Sequence, residues 1–173
     1  MRPLVWLAAT VFIVLVVRLH WLRPDVDPVS RGISRYAAGP NGYVASAAFA
    51  ALVLACAGAA WLLRSVPWVI AAVGLTAVMF TPLGLEPAAG ISYAVHQAGA
   101  LIFFIAATWA IRQMNRATGW AATLCLLTFL ANVTLRGPWL GLLQRALFVS
   151  IVVPLLMFRA TPESPSPRGH AHP

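Results

Sequence analysis

The amino-acid sequence predicts an all-α membrane protein, a compact bundle of six transmembrane helices, and three observations carry that prediction. The 173 residues are 61% hydrophobic and only 9% charged, with a mean hydropathy of +0.83, whereas soluble domains carry about 25% charged residues. Six apolar stretches approach the roughly 20 residues that cross a bilayer core; they occupy 4–22, 43–63, 66–85, 88–111, 117–135 and 138–158. All seven tryptophans, Trp6, Trp21, Trp61, Trp68, Trp109, Trp120 and Trp139, fall within a few residues of a stretch end. That is the membrane interface, where the indole ring is buried and its N–H stays wet. Residues 1–158 therefore read as one helical domain with short connections. The proline-rich segment 159–173 reads as a disordered cytoplasmic tail.

The first stretch has only 14 apolar residues, Leu4 to Val17, before Arg18, a length that also suits a signal peptide. Because Arg18, Leu19, His20 and Trp21 follow without a small-residue cleavage pattern, it is expected to stay as an uncleaved helix, with Arg18 snorkelling to the interface. Residues 23–42 form the single long connection, polar but punctuated by Ile33, Tyr36 and small residues, and are expected to be ordered. The second helix is rich in small residues. Ala47, Ala51, Ala55 and Ala59 recur every four positions, a ridge that lets helix backbones approach closely; packing within the chain is the simpler reading and a homo-oligomer seam the other. Cys56 and Cys125 both lie inside apolar runs, which offers neither a disulfide framework nor a metal site.

A net charge of +8 would suggest nucleic acid in a soluble protein. Here all twelve basic residues are arginines placed singly between apolar runs, so the charge is membrane flanking and no nucleic-acid partner is expected. Six spans put Arg2, Arg64, Arg112, Arg116, Arg159 and Arg168 on one face, against Arg18, Arg23, Arg31, Arg35 and Arg136 on the other. Both termini are assigned to the cytoplasm, and Tyr36, Tyr43 and Tyr93 then share the outer interface.

The polar residues inside the spans are few and converge. His96 and Gln97 open the fourth helix, Asn132 closes the fifth, and Gln144 and Arg145 begin the sixth, with Arg145 roughly 9 Å in. All lie in the same half of the bilayer, facing the connections that carry Asp25, Asp27 and Glu86. An arginine at such depth costs about 2.5–3.5 kcal/mol on insertion scales and normally finds a partner inside the bundle. Glu86 is the first expected counter-ion and Asp25 or Asp27 the second. Thr128 and Cys125 would extend Asn132 into a mildly polar stripe facing the same pocket.

With those residues in view, the run Ile33-Ser34-Arg35-Tyr36-Ala37-Ala38-Gly39-Pro40-Asn41-Gly42 resembles the signature after the first helix in domain of unknown function 998, approximately Ile-Ser-Glu-Tyr-x-x-Gly-x-x-Gly. His96 early in helix four and Gln144-Arg145 in helix six resemble two further features of that family. Arg35 stands where the family carries an acid. The resemblance implies six spans and a prokaryotic membrane, and it supplies no reaction.

These observations lead to a protein of a bacterial cytoplasmic membrane with an outward-facing pocket for an amphipathic, anionic ligand, best a lipid headgroup. Arg145, His96, Gln144, Asn132 and Glu86 would line it, with Asp25, Asp27, Ser34 and Tyr36 contributed by connections. Arginine supplies a fork of donors for phosphate or carboxylate. Neither a cofactor nor a metal is expected. Three alternatives differ in class: an enzyme using His96 and Glu86 as an acid–base pair on a lipid-linked substrate, a small proton-linked carrier, and an assembly subunit joined through the alanine ridge.

Overall fold

In lipid each backbone N–H and C=O must be satisfied within its own segment, so uninterrupted apolar runs become helices. A computed structural model describes residues 1–81 and 90–157, and among them six α-helices and no strand are found. The helices are α1 (Arg2–Leu22), α2 (Gly42–Leu63), α3 (Val66–Phe80), α4 (Ile91–Met114), α5 (Arg116–Thr134) and α6 (Leu140–Met157), with a 3-10 turn, η1 (Ile33–Ala37), in the long connection. Five of them are long and apolar enough to cross a membrane; α3, with 15 residues, is shorter. Residues 82–85 of the expected third span, 88–89 of the fourth, and the expected tail lie outside the described residues.

Sequential helices pack as antiparallel neighbours from α1 to α6, and α6 closes the bundle against α1 and α4. The chain thus forms the all-α bundle that its composition dictates. Helix α4 runs past Arg112 to Met114 because the next helix supplies its own start: the Asn115 side chain accepts from the amides of Ala117 and Thr118, capping α5. At the α3–α4 crossing the backbones nearly touch. A Cβ on Gly74 would come within 2.7 Å of the Gly99 carbonyl oxygen, and one on Gly99 within 2.7 Å of that of Gly74, so this pair has room for hydrogen alone. Phe148 of α6 anchors the interior, with ring centroids 5.4 Å from Phe12, 5.7 Å from Phe103 and 5.2 Å from Phe104, spacings favourable for aromatic pairs.

The alanine ridge of α2 is used mainly inward. Ala51, Ala55 and Ala59 are buried while Ala47 is exposed. Two expectations about interfacial aromatics are corrected. Trp68 is fully buried and its indole N–H has no partner among the described residues, because α3 turns the first-turn residue toward the bundle and not toward the headgroups. Tyr36 is fully buried as well. Its phenol lies within hydrogen-bonding distance of an arginine, so at that end of the bundle it packs inward and not against the headgroups. The other six tryptophans are exposed.

Candidate functional site

The C-terminal ends of α1, α3 and α5 meet the N-terminal ends of α2, α4 and α6 at one end of the bundle, and the connection 23–41 folds across it. A 19-residue connection with few apolar side chains cannot be held by burial alone, so its carbonyls need donors. Two arginines supply them. Arg23, just past α1 and only 3% exposed, grips Asp25 with one edge of its guanidinium, Nε to Oδ1 at 2.8 Å and Nη2 to Oδ2 at 2.7 Å. Its Nη1 donates to the carbonyls of Tyr36 (3.4 Å), Ala38 and Pro40 (3.2 Å).

Arg145, on the second turn of α6, holds the first half of the same connection. Nη1 donates to the carbonyls of Pro28 (2.7 Å), Arg31 (2.9 Å) and Gly141 (3.0 Å). Nη2 donates to the Tyr36 phenol oxygen at 3.2 Å, and Nε to His20 Nε2 at 3.0 Å. The His20 tautomer follows from this geometry. Its Nδ1 faces the Val16 carbonyl at 2.7 Å, an acceptor only, so Nδ1 carries the proton and Nε2 offers a lone pair to the arginine. The Tyr36 ring packs beside both, 5.3 Å from the His20 ring and 5.7 Å from the Arg145 guanidinium carbon.

Gln144 and Gly141 complete the clamp. Gln144 Oε1 accepts from the Ile33 amide at 2.6 Å, and the Leu142 amide, one of the unpaired donors that open a helix, donates to the Val29 carbonyl at 3.0 Å. Gly141 makes the approach possible, since a Cβ there would meet the carbonyl oxygens of both Arg31 and Pro28. Asp27 organises the turn between, accepting from the Val29 and Ser30 amides at 3.1 Å each and from the Ser30 hydroxyl. Those bonds, with the charge of Arg145 as a smaller cause, hold its carboxyl below the usual range. Asp25 is likewise held low, chiefly by its hydrogen bond to Arg23.

The expected pocket is therefore redrawn. The structure brings Arg145, Gln144 and Tyr36 together, with Asp27 close enough for its charge to be felt. The second-choice counter-ions are corrected: Asp25 pairs with Arg23, and Asp27 spends its oxygens on its own turn. A folded connection exposes backbone carbonyls along its length, and among the described residues these are what meet the guanidinium. Glu86 lies outside the described residues. Ser34 is buried in η1.

His96 and Asn132 have no hydrogen bond to this cluster among the described residues. His96 is buried, with Nδ1 facing the Thr81 carbonyl at 2.7 Å, where it ties the start of α4 to the end of α3. The Asn132 side chain is tucked against Gly137, its Oδ1 buried and without a partner among the described residues. Thr128 is exposed and bonded to the Leu124 carbonyl of its own helix, so the expected polar stripe does not line the site. Sequence reasoning missed Arg23 and His20, which resemble ordinary interfacial flanks, and Gly141, whose spacing of four from Arg145 was the available signal.

No curated protein and no solved structure matches the chain. The family described as "Protein of unknown function (DUF998)" matches residues 6–161, nearly the whole length. This multi-pass membrane protein belongs to the DUF998 family.

Proposed function

We propose that the loop end of the bundle binds an anionic amphipathic ligand, a lipid headgroup being the class that fits best, in a bacterial cytoplasmic membrane with both termini inside. One observation carries the reading. Among the described residues every hydrogen-bond partner of Arg145 is neutral: three carbonyls, a phenol and the imidazole nitrogen that offers its lone pair. Such partners orient the guanidinium without cancelling its charge. Half-buried at a helix-borne position, it keeps a full positive charge where charge is costly, and one Nη2 proton has no partner among the described residues. An anionic headgroup would supply both the missing charge and the missing acceptor while its tails stay in the bilayer. The clamp thus acts as a preorganised positive centre, which differs from the open arginine fork expected from sequence.

The test uses opposed variants. Asp27 is close enough to Arg145 for the two charges to interact, so Asp27→Asn strengthens the positive potential, while Arg145→Gln removes it. Detergent-solubilised protein is titrated with phosphatidylglycerol or phosphatidylcholine and its thermal stability followed. Phosphatidylglycerol is expected to stabilise the wild type, to stabilise Asp27→Asn at lower concentration, and to stabilise Arg145→Gln distinctly less than the wild type. Equal effects of the two lipids on the wild type, or weaker phosphatidylglycerol binding by Asp27→Asn, would overturn the proposal.

A further inference from the structure

The opposite end of the bundle carries a second feature that the loop-end site does not use. Between α2 and α3 runs an open groove of about 1080 Å³, as large as the ligand pockets of about 300–1,000 Å³ common in proteins. Each helix gives it one stripe at helical spacing. The floor is made of small side chains, Ala57, Ala60 and Ala72, and the walls of Trp61, Val69 and Val73. Trp61 is 73% exposed and Val73 64%, so the groove opens outward, to where lipid tails surround the bundle.

At its end the groove turns polar. Arg64 and Ser65 line it there, in the tight turn between the two helices. Arg64 is exposed and its guanidinium has no partner among the described residues; the Ser65 hydroxyl has none either. The backbone at Arg64 is left-handed, φ 47°, an unfavourable conformation for a long side chain that ends α2 in one residue and leaves the guanidinium beside the groove mouth. Trp61, one turn earlier, marks the level of the interface.

We infer that this groove is a binding site for an anionic phospholipid, one acyl chain lying over Ala57, Ala60 and Ala72 and the phosphate meeting Arg64 and Ser65. Charge complementarity selects the occupant. An apolar trough that ends in an unpaired guanidinium suits a lipid carrying net negative charge better than a zwitterionic one, whose own ammonium competes for the phosphate. The site is independent of the loop end: no residue is shared.

Native mass spectrometry of the full chain, released from nanodiscs containing equal phosphatidylglycerol and phosphatidylcholine, tests it. Arg64→Asn is the decisive variant, because asparagine tolerates the left-handed backbone and removes the guanidinium. Ala57→Leu fills the floor from an exposed position. Wild type and Arg145→Gln are expected to retain phosphatidylglycerol in this groove, while Arg64→Asn weakens retention by about fivefold, the worth of one arginine at an anionic surface. Ala57→Leu should lower retention too. Unchanged retention in Arg64→Asn, equal retention of both lipids by the wild type, or a dimer lost in Ala57→Leu with lipid unchanged, would overturn the inference.

Discussion

Replacing Arg23 by methionine keeps an apolar stem of similar reach and deletes the guanidinium. Two of the carbonyls it serves, those of Tyr36 and Ala38, are in buried hydrogen bonds, and no other donor to them is seen among the described residues. Orphaning a buried acceptor costs about 1–3 kcal/mol. The Tyr36 bond is long at 3.4 Å, so the lower half of the summed range applies, about 2–4 kcal/mol. The cost falls on docking of the connection and not on the helices, whose bonds are internal. At about 1.4 kcal/mol per factor of ten, local opening should rise roughly 30- to 700-fold. Hydrogen exchange reads this at the amides of Val26, Arg31, Ile33 and Ala38, each bonded within the folded connection or to Gln144. Asp25→Asn is the control: Asp25 is 59% exposed and Arg23 keeps its three carbonyls, so exchange should change little. Loop amides in Arg23→Met exchanging as in the wild type, or α1 and α4 loosening equally, would refute the reasoning.

Three further outcomes are expected. Gly141→Ala would place a Cβ 2.5 Å from the Pro28 carbonyl oxygen, with that of Arg31 as near; overpacking of this kind costs about 1–3 kcal/mol, and exchange at Ile33 should rise while the apolar helix amides stay protected. Gly99→Ala meets backbone on α3 that cannot yield, so it should lower the melting temperature of the whole bundle in detergent, unlike Gly141→Ala. Asp25 and Asp27 both titrate below their ordinary 3.8 in the folded chain. The contribution of Asp27, which holds two loop amides, is therefore complete above that value and lost as pH falls through its lower folded value. Loop protection, corrected for intrinsic exchange, should stay flat from neutral pH to about 4 and decline below it, and the decline should be smaller in Asp27→Asn.

The helices were legible because their cause is compositional: an apolar run of about 20 residues has one stable backbone arrangement in lipid. The depth of Arg145 was legible for the same reason, since position along a helix converts directly to distance. Its partners were not. Carboxylates are visible in a sequence and backbone carbonyls are not, so Asp25 and Asp27 were natural candidates, while among the described residues Pro28, Arg31 and Gly141 supply the carbonyl oxygens. Arg23 was hidden by its place two residues before Asp25 at a span end, where an arginine ordinarily snorkels. Trp68 misled in the opposite way. It stands at the start of α3, as an interfacial tryptophan should, yet the face of a helix that a residue occupies depends on neighbours that one sequence does not display.

The two arginines divide the connection between them. Arg145 takes the carbonyls of Pro28 and Arg31, Gln144 the Ile33 amide, and Arg23 the carbonyls of Tyr36, Ala38 and Pro40. Tyr36 is where the halves meet, its phenol on Arg145 and its carbonyl on Arg23. If the halves docked independently, the costs of Arg23→Met and Arg145→Gln would add, as for distant sites without shared partners. Sharing Tyr36 makes the connection one cooperative unit, so either loss frees the residue on which the other clamp depends. Loop opening in the double variant is then expected to exceed the worse single variant only slightly. Additive costs would mean two separate docking units, and would restrict the positive centre at Arg145 to the segment 28–31, with Tyr36 no longer part of the site.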